Sequence, residues 1–339
     1  DQRLWTPLFF AAASGASADL LRTLAASGAS IDETAAQGTT PLMAALESPK
    51  GAAALRPLLE LGANPNLKNA VTITPLMMAA ANDDPETVAL LLAHGADPTQ
   101  GTWDGLTPLM VAARRSRKAE LLEALVSAGA PVDQPSGLGM TPLMVAAASG
   151  NTEGVRILLA LSADVKLEDA DGMTALTHSV LARDWNAQAA ELLIEGGADV
   201  EARTLKGTTP LMEAAYRGSA PAARCLLDAG AKTDARDRVG WTPLHFAAKD
   251  ERGLDVLTML IAADAEAVDL PDQGGTTPLM VAAASNNPGA VAALLRAGAD
   301  PTRTDDTGRD SLGYARLKGA AACVSLLEGH AAGKPLPQP

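Results

Sequence analysis

Histidine and cysteine are the residue types in this chain that could support metal binding or nucleophilic catalysis. The 339 residues include four histidines and two cysteines, which are widely spaced: His94, His178, His245, His330, Cys225 and Cys323. A metal site needs several such side chains to converge, and a catalytic triad needs a nucleophile and a base within hydrogen-bonding distance. The sequence has no Cys-x-x-Cys pair and no phosphate-binding Gly-rich loop. Whether these residues meet depends on the elements that carry them.

One tripeptide, Thr-Pro-Leu, recurs through the chain and defines its organisation. Its copies begin at Thr6, Thr40, Thr74, Thr107, Thr141, Thr209, Thr242 and Thr277. Degenerate copies at 174–176 and 310–312 fill the remaining slots, and successive leucines from Leu8 to Leu312 are 33 to 35 positions apart. This period is typical of stacked helical repeats. We expect ten repeats, near 1–31, 32–66, 67–98, 99–132, 133–165, 166–200, 201–233, 234–268, 269–301 and 302–329, and a non-helical Pro-rich tail at 330–339.

The fifth repeat shows the structure expected of one unit. Gly139 can adopt the positive φ of a tight hairpin turn, and Thr141 is a good N-cap. Pro142 suits the first position of a helix, where a missing N–H costs nothing. The segment 143–148 predicts a short Ala-rich helix, and the apolar spacing at 155–159 predicts a second one.

These residues resemble the ankyrin repeat family. The fullest copy of the family motif is Asp-Arg-Val-Gly-Trp-Thr-Pro-Leu-His-Phe-Ala-Ala at 237–248, and a Gly-Ala pair follows the second helix in seven repeats. The resemblance covers about residues 1–330, and its Thr-Pro-Leu-Met variant looks bacterial. It implies an all-α repeat solenoid of helix-turn-helix units joined by β-hairpin turns.

The chain departs from the family pattern at several positions. His245 is the one copy of the motif histidine, which in this family bonds to neighbouring turns; methionine replaces it at Met43, Met77, Met110, Met144, Met212 and Met280. Packing must replace that polar contact. Thr72 stands where the turn glycine is expected, and Ser162 and Asp264 replace the helix-ending glycine. Because aspartate tolerates a left-handed conformation better than serine, we expect local distortion at Ser162.

The repeat register argues against a catalytic or metal site. The four histidines belong to four different repeats, and the two cysteines lie three repeats apart, roughly 30 Å in a stack of helical layers. We therefore expect no enzyme activity and no cofactor. The net charge of −13 disfavours nucleic acid and anionic membrane surfaces as partners. No apolar run is long enough for membrane insertion.

Candidate partner-binding residues lie in the hairpin turns and at the ends of the first helices. The position before each Thr is apolar in repeats three to six, and neighbouring turn positions add further apolar side chains; two arginines and a second aromatic patch complete the set. These residues are Val71, Ile73, Trp103, Leu106, Arg114, Arg115, Leu138, Met140, Met173, Tyr216, Arg217, Trp241 and Phe246. An exposed apolar strip usually marks an interaction site. The other interpretation is that these residues pack on each other and stiffen the array.

Two functional hypotheses follow. The first is a non-enzymatic scaffold or adaptor that binds a protein partner through a concave groove and the hairpin tips. The alternative is an accessory or docking module of a larger enzyme or electron-transfer assembly in the bacterial cell envelope, with another domain upstream. We expect the chain in the cytoplasm or, if an upstream signal peptide was removed, in the bacterial periplasm.

Overall fold

A computed structural model describes residues 5–183 and 185–336 of the chain. These residues form α-helices and short 3₁₀ helices, with no β-strand among them, which confirms the all-α repeat class. Two compact units divide the chain, at residues 1–170 and 171–339. Residues 1–4 of the predicted first repeat, Asp184 and residues 337–339 of the predicted tail lie outside the described residues.

The first unit contains five helix pairs. Their bounds are α1 Pro7–Ala13, α2 Ala18–Ala26, α3 Pro41–Glu47, α4 Ala52–Glu60, α5 Pro75–Ala81, α6 Pro85–Ala93, α7 Pro108–Arg115, α8 Ala119–Ser127, α9 Pro142–Ala148 and α10 Thr152–Ala160. The first helices contact one another in the order α1, α3, α5, α7 and α9. A 3₁₀ helix at Ala36–Gly38 lies in the turn before α3.

The second unit also contains five helix pairs. Their bounds are α11 Ala175–Leu181, α12 Ala187–Glu195, α13 Pro210–Arg217, α14 Ala220–Asp228, α15 Pro243–Ala248, α16 Leu254–Ala263, α17 Pro278–Ala284, α18 Pro288–Arg296, α19 Ser311–Leu317 and α20 Ala321–Ala331. Two 3₁₀ helices, Glu251–Gly253 and Ala265–Asp269, flank α16. Because α20 continues to Ala331, His330 is helical and lies before the tail rather than in it.

The Thr-Pro pairs start the first helices as their residue types predict. In α7 the hydroxyl of Thr107 accepts a hydrogen bond from the Met110 N–H at 3.2 Å, and Pro108 occupies the first turn. Leu109 and Ala112 of the same helix are buried. The small alanines allow neighbouring first helices to pack closely.

The second helices end in a left-handed residue, and here one expectation from the sequence was wrong. Ser162 adopts φ +67°, and the next N–H still bonds to the Leu158 carbonyl at 3.0 Å, as after the glycines. A side chain at Gly95, an equivalent position, would meet nothing within 4 Å. The serine therefore bears only a backbone cost, about 1–2 kcal/mol. The altered junction is at Asp264, which is extended (φ −152°) and caps the following 3₁₀ helix.

Methionine and histidine at the motif position make different contacts. In the eighth repeat the Thr242 N–H donates to Nδ1 of His245, and Nε2 of the same ring lies 2.9 Å from the Thr276 carbonyl in the next repeat. Met144 in the fifth repeat is buried, and its Sδ accepts only the N–H of Thr141, within its own repeat. The methionine thus accepts the same hydrogen bond inside the repeat as the histidine does. The hydrogen bond to the next repeat is made by the histidine and not by Met144.

Candidate functional site

The histidines and cysteines form no metal site in the part of the chain that the structure describes. No group of three or more His, Cys, Asp or Glu side chains there could hold a metal ion. Cys225 is half-buried, Cys323 is buried, and both are free. Burial raises the pKa of each thiol, which lowers the thiolate fraction needed for nucleophilic attack. Across 5–183 and 185–336, no helix has the length and apolarity to cross a bilayer.

Main-chain hydrogen bonds join most of the described hairpin turns to the turn before them. The Gly137 N–H donates to the Asp104 carbonyl at 2.7 Å, and the Ala70 N–H donates to the Gln37 carbonyl at 2.8 Å. The turns approach so closely that a Cβ on Gly105 would lie 2.8 Å from the nitrogen of Gly137. Glycine at this position therefore provides both the positive φ and the space for the next turn.

Thr72 makes the join between the third and fourth turns different. It adopts φ +62°, which is rare for a β-branched residue. Its side chain lies where the second repeat and the fourth to tenth repeats have glycine, and its hydroxyl accepts the N–H of Trp103 at 3.0 Å. In the other hydrogen bonds between successive hairpin turns of the first unit, among the described residues, the acceptor is a backbone carbonyl. The hydroxyl of a residue with a strained backbone thus positions the backbone of Trp103.

Three large apolar side chains protrude from the turns of the first unit, and we call them the tip row. Val71 is 57% exposed, Trp103 84% and Leu138 70%. Within residues 5–183 and 185–336, the Trp103 ring makes no aromatic or cation–π contact. A hydrogen bond between turns holds the backbone at or next to each of these three residues. The tip row is therefore an exposed apolar surface on a fixed backbone.

The residues just before each Thr are less exposed than the tip row. Ile73, Leu106 and Met140 are half-buried in the first unit, and Met173 is half-buried in the second. The N–H of Leu106 bonds back to the Thr102 hydroxyl at 2.9 Å, which holds the residue within its own turn. In the first unit, most of the exposed apolar area of these turns belongs to the tip row.

The C-terminal end of α7 is held from both neighbouring repeats. Ser116 is buried, and its hydroxyl donates to Oδ1 of Asp83 at 2.6 Å. From the other side, Nδ2 of the buried Asn151 donates to the carbonyls of Ala113 at 2.9 Å and Ser116 at 2.8 Å. Lys118 also bonds to Asp83. Because these bonds come from residues more than 30 positions away, no local pattern in the sequence predicts them.

Three arginines surround this fixed helix end, and we call them the arginine end. Arg114 and Arg115 are exposed in the last turn of α7, and Arg117 is exposed just beyond it. None of the three forms an ion pair with a carboxylate in the described residues, whereas Lys118 pairs with Asp83 at 3.5 Å. Arg117 was not among the sequence candidates, although it lies two positions from Arg115.

The second candidate patch, in the second unit, is an aromatic cluster. Trp241 packs edge-on against Phe246, with ring centroids 5.3 Å apart, and Tyr216 packs edge-on against Phe246 at 6.4 Å. The Trp241 Nε1–H donates to Asp272, and the Lys249 ammonium lies over the Tyr216 ring. Arg217 is exposed in the last turn of α13. The aromatic residues predicted from the sequence do form a cluster here. Their rings pack against one another, so less of their surface is free for a partner than that of Trp103.

Comparisons with known proteins agree with this geometry. Family models described as "Ankyrin repeats (3 copies)" match residues 1–69, 51–136, 115–204 and 182–270, and "Ankyrin repeat" matches 274–306. Ankyrin repeat protein nuc-2 of Neurospora crassa is 28% identical over 171 residues, which are 50% of this chain but only 16% of that protein. The human ASB11 ankyrin repeat domain superposes with a TM-score of 0.57 at 28% identity, covering 67% of this chain and 99% of that one. The chain belongs to the ankyrin repeat family.

Proposed function

We propose that this chain is a non-catalytic protein-interaction module that binds its partner through the tip row and the arginine end of the first unit. Ankyrin repeat domains are generally protein–protein interaction modules, and the repeat fold is typically non-enzymatic. The observation that carries the more specific proposal is Trp103, a large apolar side chain that is 84% exposed on a positioned turn.

The energetics of association favour such a residue as an anchor. Tryptophan and arginine are enriched among interface hot spots, where truncation costs on the order of 2 kcal/mol or more of binding free energy. The hydroxyl of Thr72 and the neighbouring turn bonds hold the backbone around Trp103 before any partner arrives. A pre-organised surface loses less conformational entropy on binding, so more of the contact energy appears as affinity.

Residue-specific photo-crosslinking tests this proposal. A photoreactive phenylalanine analogue is placed at Trp103 in one variant and at Leu138 in another, and the full chain is irradiated in the source cells. The matched control carries the analogue at Glu123, an exposed position on the second helix α8. We expect mass spectrometry to identify the same adduct protein from both tip positions and not from Glu123.

A second measurement links the adduct to affinity. We expect Trp103→Ala to weaken binding of the identified protein by at least about tenfold, the equivalent of 1.4 kcal/mol, in a titration with purified chains. The circular dichroism of the variant should be unchanged, because Trp103 is solvent-exposed. Adducts that do not discriminate between the tip row and Glu123, or unchanged affinity of Trp103→Ala, would contradict the proposal.

A further inference from the structure

We infer that the partner presents an acidic peptide segment to the arginine end while an apolar side chain of the same segment contacts the tip row. This inference rests on the proposed function and names the chemical class of the partner at that site.

Local charge is the first argument. The whole chain has 40 acidic and 27 basic side chains, yet residues 114–118 contain four basic side chains and no acidic one. The arginine end forms no ion pair with a carboxylate of the described residues. Arginine presents a planar fork of donors that matches a carboxylate bidentately. In a chain of net charge −13, these cations are a local site for carboxylates on an otherwise repulsive surface.

The fixed position of the cations is the second argument. Asp83 from the third repeat and Asn151 from the fifth repeat both bond to the end of α7. Arg114 and Arg115 therefore extend from a backbone that is held on two sides. A flexible basic tail would lose more entropy on pairing with a carboxylate than these side chains lose.

The length of α7 gives the spacing expected in the partner. The helix has eight residues, which corresponds to about 12 Å, and it separates the turn of Trp103 from the arginine end. An extended peptide covers about 12 Å with roughly four residues, at about 3.3 Å each. The acidic side chains of the partner segment should therefore lie about four positions from its apolar anchor.

Fluorescence anisotropy with defined peptides tests the inference on the full chain. One labelled peptide, built on Gly and Ser, carries a Leu-Leu pair and a run of three Glu residues four positions away; the matched peptide has Lys in place of Glu. We expect the acidic peptide to bind the wild-type chain and the Lys peptide to bind at least tenfold more weakly. Affinity for the acidic peptide should fall as salt concentration rises, since the contacts are exposed ion pairs.

Charge reversal locates the contact. Arg114→Glu with Arg115→Glu should lower affinity for the acidic peptide at least tenfold. The matched control is Arg56→Glu with Arg224→Glu, which changes net charge equally at exposed positions of α4 and α14. The control variant should bind as the wild type does. Arg114→Gln with Arg115→Gln, which should also weaken binding, provides a neutral variant in case the reversed one unfolds.

Three outcomes would overturn the inference. They are no binding of the acidic peptide to the wild-type chain up to about 1 mM, equal or tighter binding of the Lys peptide, and an equal loss of affinity in the control variant. The proposed function is tested by different measurements, namely the crosslinks at the tip row and the affinity of Trp103→Ala, so its failure can be distinguished from failure of this inference. Crosslinks at the tip row, with a partner whose affinity is unchanged by Arg114→Gln with Arg115→Gln, would keep the tip row as a binding surface. The same result would refute both the acidic segment and the part of the arginine end in binding.

Discussion

At the scale of single residues, the side chain after Thr-Pro-Leu determines whether a hydrogen bond from that position reaches the next repeat. His245 is buried, accepts a hydrogen bond at Nδ1 from the Thr242 N–H, and therefore carries its proton on Nε2, which donates to the Thr276 carbonyl. Burial lowers the pKa of this imidazole, and the bond to Thr276 opposes that shift only in part. A second proton would remove the acceptor role of Nδ1. The eighth repeat thus depends on a neutral histidine.

This dependence predicts a pH effect on stability. The imidazole of an unfolded chain has a pKa of about 6.5, and the folded pKa of His245 is lower, so the unfolded state binds more protons below about pH 6.5. The contribution of His245 is therefore complete above that pH and is lost as the pH falls toward the folded pKa. His245→Met should be less stable than the wild type by about 1 kcal/mol at pH 8, because it loses one hydrogen bond.

The difference in unfolding free energy between wild type and His245→Met should shrink as the pH is lowered from 8 to 5.5. Urea denaturation followed by circular dichroism at both pH values measures it. A variant changed at His94, which is half-buried in another repeat, controls for the loss of a histidine as such. A difference that stays constant or grows at pH 5.5 would show that His245 does not titrate as the buried site requires.

At the scale of elements, side chains that cross between repeats hold the helix ends. Asn151 caps α10 by accepting the Gly154 N–H at 3.1 Å, and the same side chain donates to two carbonyls at the end of α7. Asn287 is its counterpart in the second unit, where it caps α18 and donates to the Ala248 carbonyl at 3.2 Å. Both side chains are buried, so their hydrogen bonds have no competition from water.

We predict that Asn151→Ala destabilises the chain by about 2–4 kcal/mol, because it removes a cap and leaves buried carbonyls without a partner. Asn287→Ala should cost less, since that side chain makes one bond to the preceding repeat instead of two. Urea midpoints of the two variants test the order. If Asn287→Ala proves equal or worse, the second bond of Asn151 contributes nothing to stability.

The elements also show which parts of the fold can be read from the sequence. Thr107 and Pro108 start α7 as predicted because capping acts within one turn of the chain. Three features were not predictable in the same way. They are the altered junction at Asp264 instead of Ser162, the hydrogen bond that the Thr72 hydroxyl accepts, and the two hydrogen bonds that Asn151 donates to the preceding repeat. The last two depend on residues about one repeat away, and the first depends on whether a junction has room for a side chain.

The candidate site was predictable in part for a similar reason. The repeat register placed Trp103, Leu138 and the two arginines of α7 in turns and at a helix end, where the structure has them. It could not distinguish the exposed tip row from the half-buried positions next to Thr, because both types are apolar in the sequence. Participation of any of these residues in binding stays a prediction.

At the scale of the whole molecule, each repeat buries an apolar face only against its neighbours. In the second unit, α19 packs on α17 and α20 packs on α18. Leu279 in α17 and Leu294 in α18 are fully buried. The tenth repeat, with Arg316 and Lys318 exposed, therefore covers apolar residues of the ninth repeat with a more polar exterior.

Removal of the tenth repeat should therefore lower the melting temperature by several degrees, since a loss of 1 kcal/mol corresponds to about 2–4 °C in a structure of 150–250 residues. A chain that ends at Pro301 should also bind a hydrophobic dye more strongly than the full chain. The control ends at Lys334, after α20, and should melt as the full chain does. An unchanged melting temperature of the shorter chain would show that the tenth repeat is not a cap.

The main-chain bonds between successive turns have a consequence for how such a chain can diverge. Gly137 and Asp104 are joined through atoms that every residue type except proline possesses. Substitutions at the protruding positions can therefore accumulate in a lineage while the architecture beneath them persists, and a new binding preference needs no new scaffold. Thr72 is the exception, because its own side chain is part of the joint. Substitution at that position would change the joint between the two turns as well as their surface.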